Sequence, residues 1–238
     1  MMKVIMPSMR LTRILVTIKM KYLDFFEFQS TKIPYFFHSY NNFGITPRCI
    51  EIPIIKYYLS KFSHDNVLEI GNVTKHYYAD FKKFNKKDTV DKYESAYDVI
   101  NVDIKDFKTD KKYDFIYSIS TFEHMDSDGG HNPDYIPMKN EKFSSYAFTH
   151  INKVLNDLLV DGGKFILTFP IGQDNCEIDN SLYKKEHTKF QAKNMKIYFI
   201  KKINDLSWKQ VNLSVDQLAK EKPKIPHETY LCVMELTK

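Results

Sequence analysis

The segment Asn66-Val67-Leu68-Glu69-Ile70-Gly71 predicts a short buried strand that ends in a carboxylate followed at once by a glycine. In an open α/β sheet, such a corner lies at the carboxyl edge of the strands, where the chain turns towards a helix and ligands bind. Glu69 is too polar to end a core strand without a hydrogen-bond partner, which a ligand with a hydroxyl or amine group would supply. The segment therefore indicates an α/β fold with a ligand site at this edge.

Apolar runs and helical patterns alternate on both sides of this strand. Apolar residues recur at helical spacing over 50–62, and a longer helix is predicted over 144–159. Gly162 and Gly163 are expected to end that second helix. The predicted strands cover residues 67–70, 89–90, 99–102, 115–119, 164–169, 197–200 and 230–236. This alternation predicts a doubly wound, mostly parallel α/β sheet that helices cover on both faces.

The length of 238 residues suits one full α/β domain with an extension, and an apolar fraction of 43% is sufficient for a packed core. Residues 1–47 are irregular, aromatic and weakly basic, with no helical period. We therefore divide the chain into an N-terminal extension or cap over 1–47 and an α/β domain over 48–238. Within the extension, apolar and polar residues alternate over 13–21, which suits a strand.

Charge and cysteine content restrict the partners and the compartment. The net charge of +5 comes from scattered lysines, as is typical of a solvated surface, and disfavours a nucleic-acid partner. The 3 cysteines are far apart and lack CxxC spacing, which indicates a reducing compartment and no zinc site. No apolar stretch reaches the length of a membrane span. We therefore expect a cytoplasmic protein.

Several segments resemble, in the same order, the motifs of the class I S-adenosylmethionine (SAM)-dependent methyltransferases. They are residues 67–71, 89–93, 101–104, 113–124 and 158–170. The resemblance implies a Rossmann-like sheet of the seven-stranded type and SAM as the cofactor. SAM offers a ribose diol, an adenine amine and an ammonium group, and these donors suit carboxylates at strand ends. A nicotinamide cofactor is disfavoured because the GxGxxG pattern is absent.

The resemblance also implies a role for each candidate residue. Asp91 follows Glu69 at about the spacing at which an acidic residue binds ribose hydroxyls in nucleotide-binding α/β folds. Asp103 matches the acid that holds the adenine amine. The implied cofactor-binding residues are Glu69, Gly71 and Asn72 in the loop, Asp91 and Lys92 at the ribose, Asp103 and Ile104 at the adenine, and Ser118 on the main-chain side.

The loop after the first motif departs from the family pattern. The usual motif continues with two more glycines, whereas this chain has Gly71-Asn72-Val73-Thr74-Lys75. A Cβ atom at Val73 and at Lys75 narrows the approach of a ligand to the backbone. With residues 35–53 included, the chain resembles a methyltransferase-like branch found near sugar- and surface-glycan-building proteins, in which a glycine-poor loop is usual.

Catalytic residues are predicted just beyond the fourth strand of this fold. A hydroxyl acceptor benefits from a general base, and His124 is the best-placed candidate, with Glu123 second. The alternative for His124 is a structural role at the following turn. Four side chains in the adjacent loop could hold Mg²⁺ or Mn²⁺, but a polar loop without a metal is the favoured interpretation. They are Asp126, Asp128, His131 and Asp134.

Two features of residues 35–51 admit alternatives. The aromatic cluster over 35–40 either covers the cofactor, stacks on a sugar face or simply packs over the sheet. Arg48 either meets the SAM carboxylate or, as favoured, pairs with Glu51, three residues further on the same helical face.

We predict a SAM-dependent methyltransferase that acts on a sugar or glycan intermediate, with methylation of oxygen favoured. The substrate class depends on the family resemblance alone. The alternative is a non-catalytic methyltransferase-like module that binds a partner in a glycan-assembly complex. A nucleic-acid methyltransferase is disfavoured, because Ser120-Thr121-Phe122-Glu123 stands where base-amine enzymes have Asp/Asn-Pro-Pro-aromatic.

Overall fold

The computed structural model describes residues 24–38, 40, 46–81, 87–124, 145–171, 191–204, 207–214, 217–218 and 230–238. The strands are β1 (Phe25–Phe28), β2 (Thr31–Pro34), β3 (Val67–Ile70), β4 (Lys87–Asp91), β5 (Ile100–Asn101), β6 (Tyr113–Ile119), β7 (Leu159–Ile171), β8 (Asn194–Asn204), β9 (Ser207–Val211) and β10 (Tyr230–Thr237). The helices are α1 (Arg48–Lys61), α2 (Tyr78–Phe81) and α3 (Ser145–Lys153). Of the helices in these ranges, none has the length and apolar character that crossing a membrane requires.

One large sheet forms the centre of the molecule, with the strand order β5-β4-β3-β6-β7-β10-β8-β9. The strands from β5 to β7 are mutually parallel, whereas β10 is antiparallel to both of its neighbours. The predicted mostly parallel sheet is confirmed, and β9 adds an eighth strand at one edge. The chain order reverses between β3 and β6, which is where open α/β sheets bind ligands.

Helices cover both faces of this sheet, as the near-continuous apolar strands predict. Along β6, Phe115 and Tyr117 pack in a core cluster with α1, whereas Ile116 packs in the cluster on the other face. That second cluster includes Val154 and Leu155 from the π-helical turn that continues α3. Because each buried side chain of this size contributes about 1.5–3 kcal/mol, two-sided burial of the strands is a dominant stabilising term.

The predicted end of the second helix is wrong. The helix over 144–159 exists as α3 and its π-helical turn (Val154–Leu158), but β7 begins at Leu159, before the glycine pair. Gly162 has φ of +80° and lies inside β7, where the register with β6 shifts. Its N–H group donates to the Lys238 carbonyl at 2.9 Å. The pair therefore forms a bulge in the strand and does not cap the helix.

The N-terminal region is more regular than its composition suggests. Strands β1 and β2 form a hairpin, and the Gln29-Ser30 turn between them has positive φ at both residues, as two-residue hairpins require. Phe26 and Phe28 are buried while Phe25 is exposed, which is a period-two pattern that the sequence interpretation overlooked. The strand predicted over 13–21 lies outside the described residues. The division at residue 47 stays a prediction.

A proline inside α1 explains how the hairpin is joined to the domain. Pro53 cannot donate to the carbonyl of Cys49, four residues earlier, so that acceptor is free of its usual helical partner. The Phe36 N–H group donates to this carbonyl at 2.9 Å. One residue before Phe36, the Tyr35 hydroxyl accepts the Trp208 N–H group at 2.8 Å.

Candidate functional site

The predicted site residues meet at the carboxyl edge of the parallel strands. In the strand register, Ile70 lies opposite Val90 on one side and Ser118 on the other. The loop after β3, the end of β4 and the turn after β6 are therefore neighbours. The parallel register thus brings together residues that are far apart in sequence, as the motif order predicts.

Gly71 is required by its conformation and by its surroundings. Its φ is +88°, which disfavours any side chain. A Cβ atom at this position would lie 2.2 Å from Oγ1 of Thr121. The Gly71 N–H group donates to the Val90 carbonyl at 2.8 Å. The loop after β3 therefore packs directly on the turn after β6.

Glu69 is fully buried, and the chain itself supplies its partners. Oε1 accepts the Thr74 N–H group at 2.7 Å, and Oε2 accepts the Thr74 hydroxyl at 2.5 Å and the ammonium group of Lys87. The expectation that a ligand satisfies this carboxylate is therefore wrong. Glu69 instead fastens the 3₁₀ turn (Thr74–Tyr77) to the start of β4.

Asp91 also bonds to the loop. Its Oδ2 accepts the Asn72 N–H group at 2.9 Å, and its Oδ1 accepts the N–H groups of Tyr93 and Glu94, both at 2.8 Å. The Asn72 side chain is buried and donates through Nδ2 to Oε2 of Glu94 at 2.7 Å. Asn72, Asp91 and Glu94 thus form one hydrogen-bonded unit, and Glu94 is a member of it that the sequence interpretation missed.

Asp103 lies in a half-buried and cationic environment. The ammonium nitrogens of Lys92 and Lys105 are 3.4 and 3.7 Å from Oδ2, and the Lys105 N–H group donates to Oδ1 at 3.1 Å. Burial alone raises the pKa of Asp103, but the Lys105 amide and the two ammonium groups outweigh it and hold the pKa below its ordinary value. Ile104 beside it is buried in the core.

Ser118 and the loop residues Val73 and Lys75 complete this side of the edge. The Ser118 hydroxyl is buried and donates to the Ile70 carbonyl at 2.8 Å, which fixes the end of β3. Lys75 is exposed, and Val73 is half-buried against the core cluster that includes Tyr77. The two side chains that replace the missing glycines are thus a core contact and a surface residue.

A second group of charged residues is buried at the same edge, beside the turn after β6. Glu51 on α1 is fully buried and lies 2.6 Å from Nη1 of Arg48, so the favoured pairing of these residues is confirmed. Its other oxygen accepts the hydroxyls of Ser120 and Thr168, each at 2.7 Å. Glu51 therefore joins α1, the end of β6 and β7. A carboxylate between Ile50 and Ile52 was the signal that could have revealed it.

The turn that Glu51 holds is strained. Ser120 has φ of +40°, which is costly for a residue with a Cβ atom. Its N–H group donates to the Thr168 carbonyl at 2.9 Å, so both backbone and side chain are fixed by β7 and α1. Strain of this kind persists only where neighbouring contacts over-determine the conformation, and it is common at functional sites.

Glu123 lies in the 3₁₀ turn (Phe122–His124) directly after this strained residue and is buried. Burial raises its pKa to about 8, and the neighbouring Glu51 carboxylate adds to the rise, whereas Arg48 and the Ser120 hydroxyl oppose it. The carboxyl group of Glu123 therefore carries a proton at neutral pH and loses it in mildly alkaline solution.

The remaining catalytic and metal candidates are only partly described. The backbone of His124 belongs to the 3₁₀ turn, whereas its side chain lies outside the described residues. The loop that contains Asp126, Asp128, His131 and Asp134 also lies outside the described residues. Among the residues that the structure describes, no group of three or more His, Cys, Asp or Glu side chains is arranged to hold a metal ion.

The aromatic cluster of the N-terminal region packs on the turn that follows the loop. The rings of Tyr40 and His76 stack with centroids 4.1 Å apart, and His38 and Phe36 meet the Tyr77 ring edge-on at 5.2 and 5.4 Å. Packing is therefore what the structure shows, and contact with a cofactor or a sugar stays a prediction. Tyr40 remains 55% exposed beside the loop.

An open depression lies at the opposite edge of the sheet. Its lining includes Lys112, which precedes β6, and Asn156 and Leu158, which precede β7. It is thus at the amino ends of the parallel strands, away from the acids described above. The carboxyl edge, and not this depression, has the chemistry that the motifs predict.

No family model and no curated protein matches the chain. Among solved structures, it is similar to the plantazolicin methyltransferase BpumL in complex with SAH (TM-score 0.43, 13% identity, 78% of this chain and 81% of that one). It is also similar to a SAM-dependent methyltransferase from Archaeoglobus fulgidus (TM-score 0.49, 13% identity, 81% of this chain and 95% of that one). A third is the N-methyltransferase NodS from Bradyrhizobium japonicum WM9 with S-adenosyl-l-homocysteine (SAH) (0.40, 13%, 78% and 83%). Because similarity at this level does not carry function between proteins, we propose the function from the chain's own residues and motifs.

Proposed function

We propose that this protein is an enzyme that transfers the methyl group of SAM to an oxygen atom of a sugar or glycan intermediate. The observation that carries the proposal is the set of acids at successive strand ends beside Gly71, at the switch point of a doubly wound sheet. Asp91 ends β4 with Glu94 shortly after it, and Asp103 follows β5, which is the order that a ribose and an adenine require.

The residues present suit SAM. The pKa of Asp103 is held below its ordinary value by the Lys105 amide and by the ammonium groups of Lys92 and Lys105, so its carboxylate stays available to accept a hydrogen bond from an amine. Gly71, Asn72 and Ser118 would form the floor under the ligand, with Ile104 beside the base. When bound, SAM supplies an electrophilic methyl group, and most of the acceleration then comes from alignment of the acceptor with it.

Glu123 is the proposed proton acceptor for the substrate hydroxyl. It is buried at the carboxyl edge, in a turn held rigid by Glu51, and a general base contributes roughly 10²–10⁴-fold. Because burial raises its pKa to about 8, its carboxyl group becomes a base as the pH rises through that value. His124, adjacent in the chain, is the alternative base.

The sugar acceptor is supported by the resemblance of residues 35–53 to a glycan-associated branch and by the exposed ring of Tyr40 beside the loop. Aromatic faces pack well on the apolar faces of sugar rings. A divalent ion held by Asp126, Asp128, His131 and Asp134, which lie outside the described residues, stays the disfavoured alternative to a loop without a metal.

The test is transfer of an isotope-labelled methyl group from SAM to a panel of sugars and nucleotide sugars, with Mn²⁺ or with EDTA. We expect a labelled sugar and a transfer rate that rises as the pH is raised to 8. In Glu123→Gln we expect this rate to fall by roughly 100-fold or more. The Asp98→Asn variant, which removes an exposed acid elsewhere, is the matched control. Labelled product with an unchanged Glu123→Gln rate would transfer the role of base to His124.

A second candidate is a non-catalytic module that binds a partner protein. The observation that favours it is that Glu69 and Asp91, two acids of the motif, already bond within the chain. SAM binding without transfer to any acceptor would be compatible with this function, whereas turnover would exclude it.

A further inference from the structure

The carboxylate of Asp91 is nearly saturated by the backbone. It accepts the N–H groups of Asn72, Tyr93 and Glu94 at 2.9, 2.8 and 2.8 Å. An ionised carboxylate offers about four lone-pair sites, so about one of them remains. A vicinal diol donates two hydrogen bonds, and Asp91 could receive both only by releasing one of the amides that shape the loop.

Glu94 is the other acid of this unit, and it has acceptor capacity to spare. Its Oε2 accepts the Asn72 side-chain amide at 2.7 Å, and its Oε1 makes no hydrogen bond to any residue that the structure describes. The side chain is half-buried, so a ligand that rests on the loop can reach it. Glu94 therefore stands beside the loop with more than half of its carboxylate available.

The backbone at Glu94 is held in place from two sides. Its N–H group donates to Asp91, and its carbonyl accepts Nδ2 of Asn101 at 3.2 Å. The same Asn101 amide also donates to the carbonyls of Asp91 and Lys92, at 3.1 and 3.0 Å. The segment that carries Glu94 is thus held between β4 and β5, and the Asn72 amide holds its carboxylate, so little conformational freedom remains to be lost when a ligand binds.

We propose that Glu94 receives the hydroxyls of the ribose diol, and that Asp91 is a positioning residue that holds the loop. The inference rests on the proposed function, because it concerns the same SAM site, and it reverses the role that the sequence motif gives to Asp91. Asp91 acts through the Asn72 backbone, whereas Glu94 touches the ligand.

The experiment is a calorimetric titration with SAH and with its 2′-deoxy analogue, on the wild type and on Glu94→Gln. Hydrogen bonds to charged groups are strong enough that we expect Glu94→Gln to weaken SAH binding by roughly 10- to 100-fold. We expect the deoxy analogue to bind the wild type more weakly than SAH does. The ratio of the two dissociation constants is expected to be at least threefold smaller in Glu94→Gln than in the wild type. A ligand hydroxyl and its protein partner are coupled, so their effects do not add.

Two further variants separate binding from positioning. Asp91→Asn is expected to lower the melting temperature of the ligand-free protein, since an NH₂ group replaces one of the two oxygens that accept three backbone amides, and to retain the difference between the two ligands. Asp98→Asn removes an exposed acid from the same connection and is expected to change neither. The Glu94→Gln titrations decide the role of Glu94 by themselves, so the test holds even where Asp91→Asn fails to fold.

The inference is overturned if Glu94→Gln binds SAH as the wild type does, or if the difference between the ligands survives in it undiminished. If only Asp91→Asn loses the difference in affinity between the two ligands, Asp91 is the residue that binds the ribose hydroxyls. Absence of SAH binding by the wild type is a separate result, because it removes the proposed function itself.

Discussion

The loop after β3 and the turn after β6 lie side by side, yet their carboxylates are used in different ways. In the loop, Glu69 and Asp91 accept hydrogen bonds from backbone amides, so they define its shape. At the turn, the Arg48 guanidinium forms an ion pair with Glu51 and also lowers the pKa of Glu123. Burial outweighs this effect, so Glu123 retains its proton at neutral pH. The difference teaches that motif acids at neighbouring strand ends can serve different ends: Glu69 and Asp91 are held by backbone amides, whereas Glu123 is buried with a raised pKa.

The contact between the two regions is expected to give the largest effect. Gly71→Ala adds a Cβ atom 2.2 Å from Thr121 at a φ of +88°, so strain and overpacking act together. We expect a loss of about 3 kcal/mol in the free energy of unfolding, measured by urea denaturation.

Gly162→Ala is the matched control, because Gly162 has φ of +80° but nothing within 4 Å of the added atom. It isolates the backbone strain, for which we expect about 1 kcal/mol. Equal losses of unfolding free energy in the two variants would show that the Cβ atom at position 71 does not clash with Thr121 in the turn after β6.

The protonation of Glu123 is expected to give the next effect. Because its pKa in the folded protein is raised to about 8 from an ordinary value of 4.5, the folded state binds the proton more tightly than the unfolded state does. Stability from this group is fully present below about pH 4.5 and is lost as the pH rises through about 8.

Unfolding titrations from pH 5 to pH 9 measure this loss, which we expect to be on the order of 3 kcal/mol. Glu123→Gln stays neutral throughout and is expected to flatten the profile. A variant that reproduces the wild-type slope would contradict the assignment of this pKa.

Removal of the charge at Glu51 tests the other side of the comparison. Glu51→Gln leaves Arg48 without its counter-ion and weakens the acceptor for the hydroxyls of Ser120 and Thr168. We expect a loss of about 2 kcal/mol, since the Arg48 side chain is partly exposed and water screens part of its charge. A loss below about 0.5 kcal/mol, the level of a neutral surface change, would mean that Glu51 does not hold the turn.

The smallest effect is expected at Lys92, a surface residue beside Asp103. Lys92→Met removes one cation from Asp103, but Lys92 is 42% exposed, so the stability change should stay below about 0.5 kcal/mol. The pKa of Asp103, followed by NMR, should rise towards its ordinary value. An unchanged pKa would assign the whole shift to Lys105 and its amide.

The architecture could be predicted well from the sequence, because strands buried on both faces of a parallel sheet have continuous runs of apolar residues. The segments around Val67 and Phe115 became β3 and β6 with little or no change in length, whereas the strand predicted over 164–169 is the longer β7. The sequence interpretation was wrong about Gly162, since a glycine pair before a strand can form a bulge as readily as a helix end. The hairpin of β1 and β2 was missed although Phe26 and Phe28 alternate with exposed residues.

The site was predicted less completely, because hydrogen-bond partners depend on tertiary contacts. Nothing local to Glu51 indicates that it bonds to Thr168, and nothing local to Asp91 reveals three backbone donors. Motifs give the residue types at a strand end, whereas the packing of loops decides which of those residues has acceptor atoms to spare.

Binding of SAH to the purified protein, measured by calorimetry with the wild type and Asp103→Asn, tests the proposed SAM site most directly. We predict micromolar affinity for the wild type and at least a tenfold loss in the variant, since a charge-assisted hydrogen bond to adenine is removed. No heat of binding at millimolar SAH, or equal affinities for the two proteins, would contradict the assignment of this site.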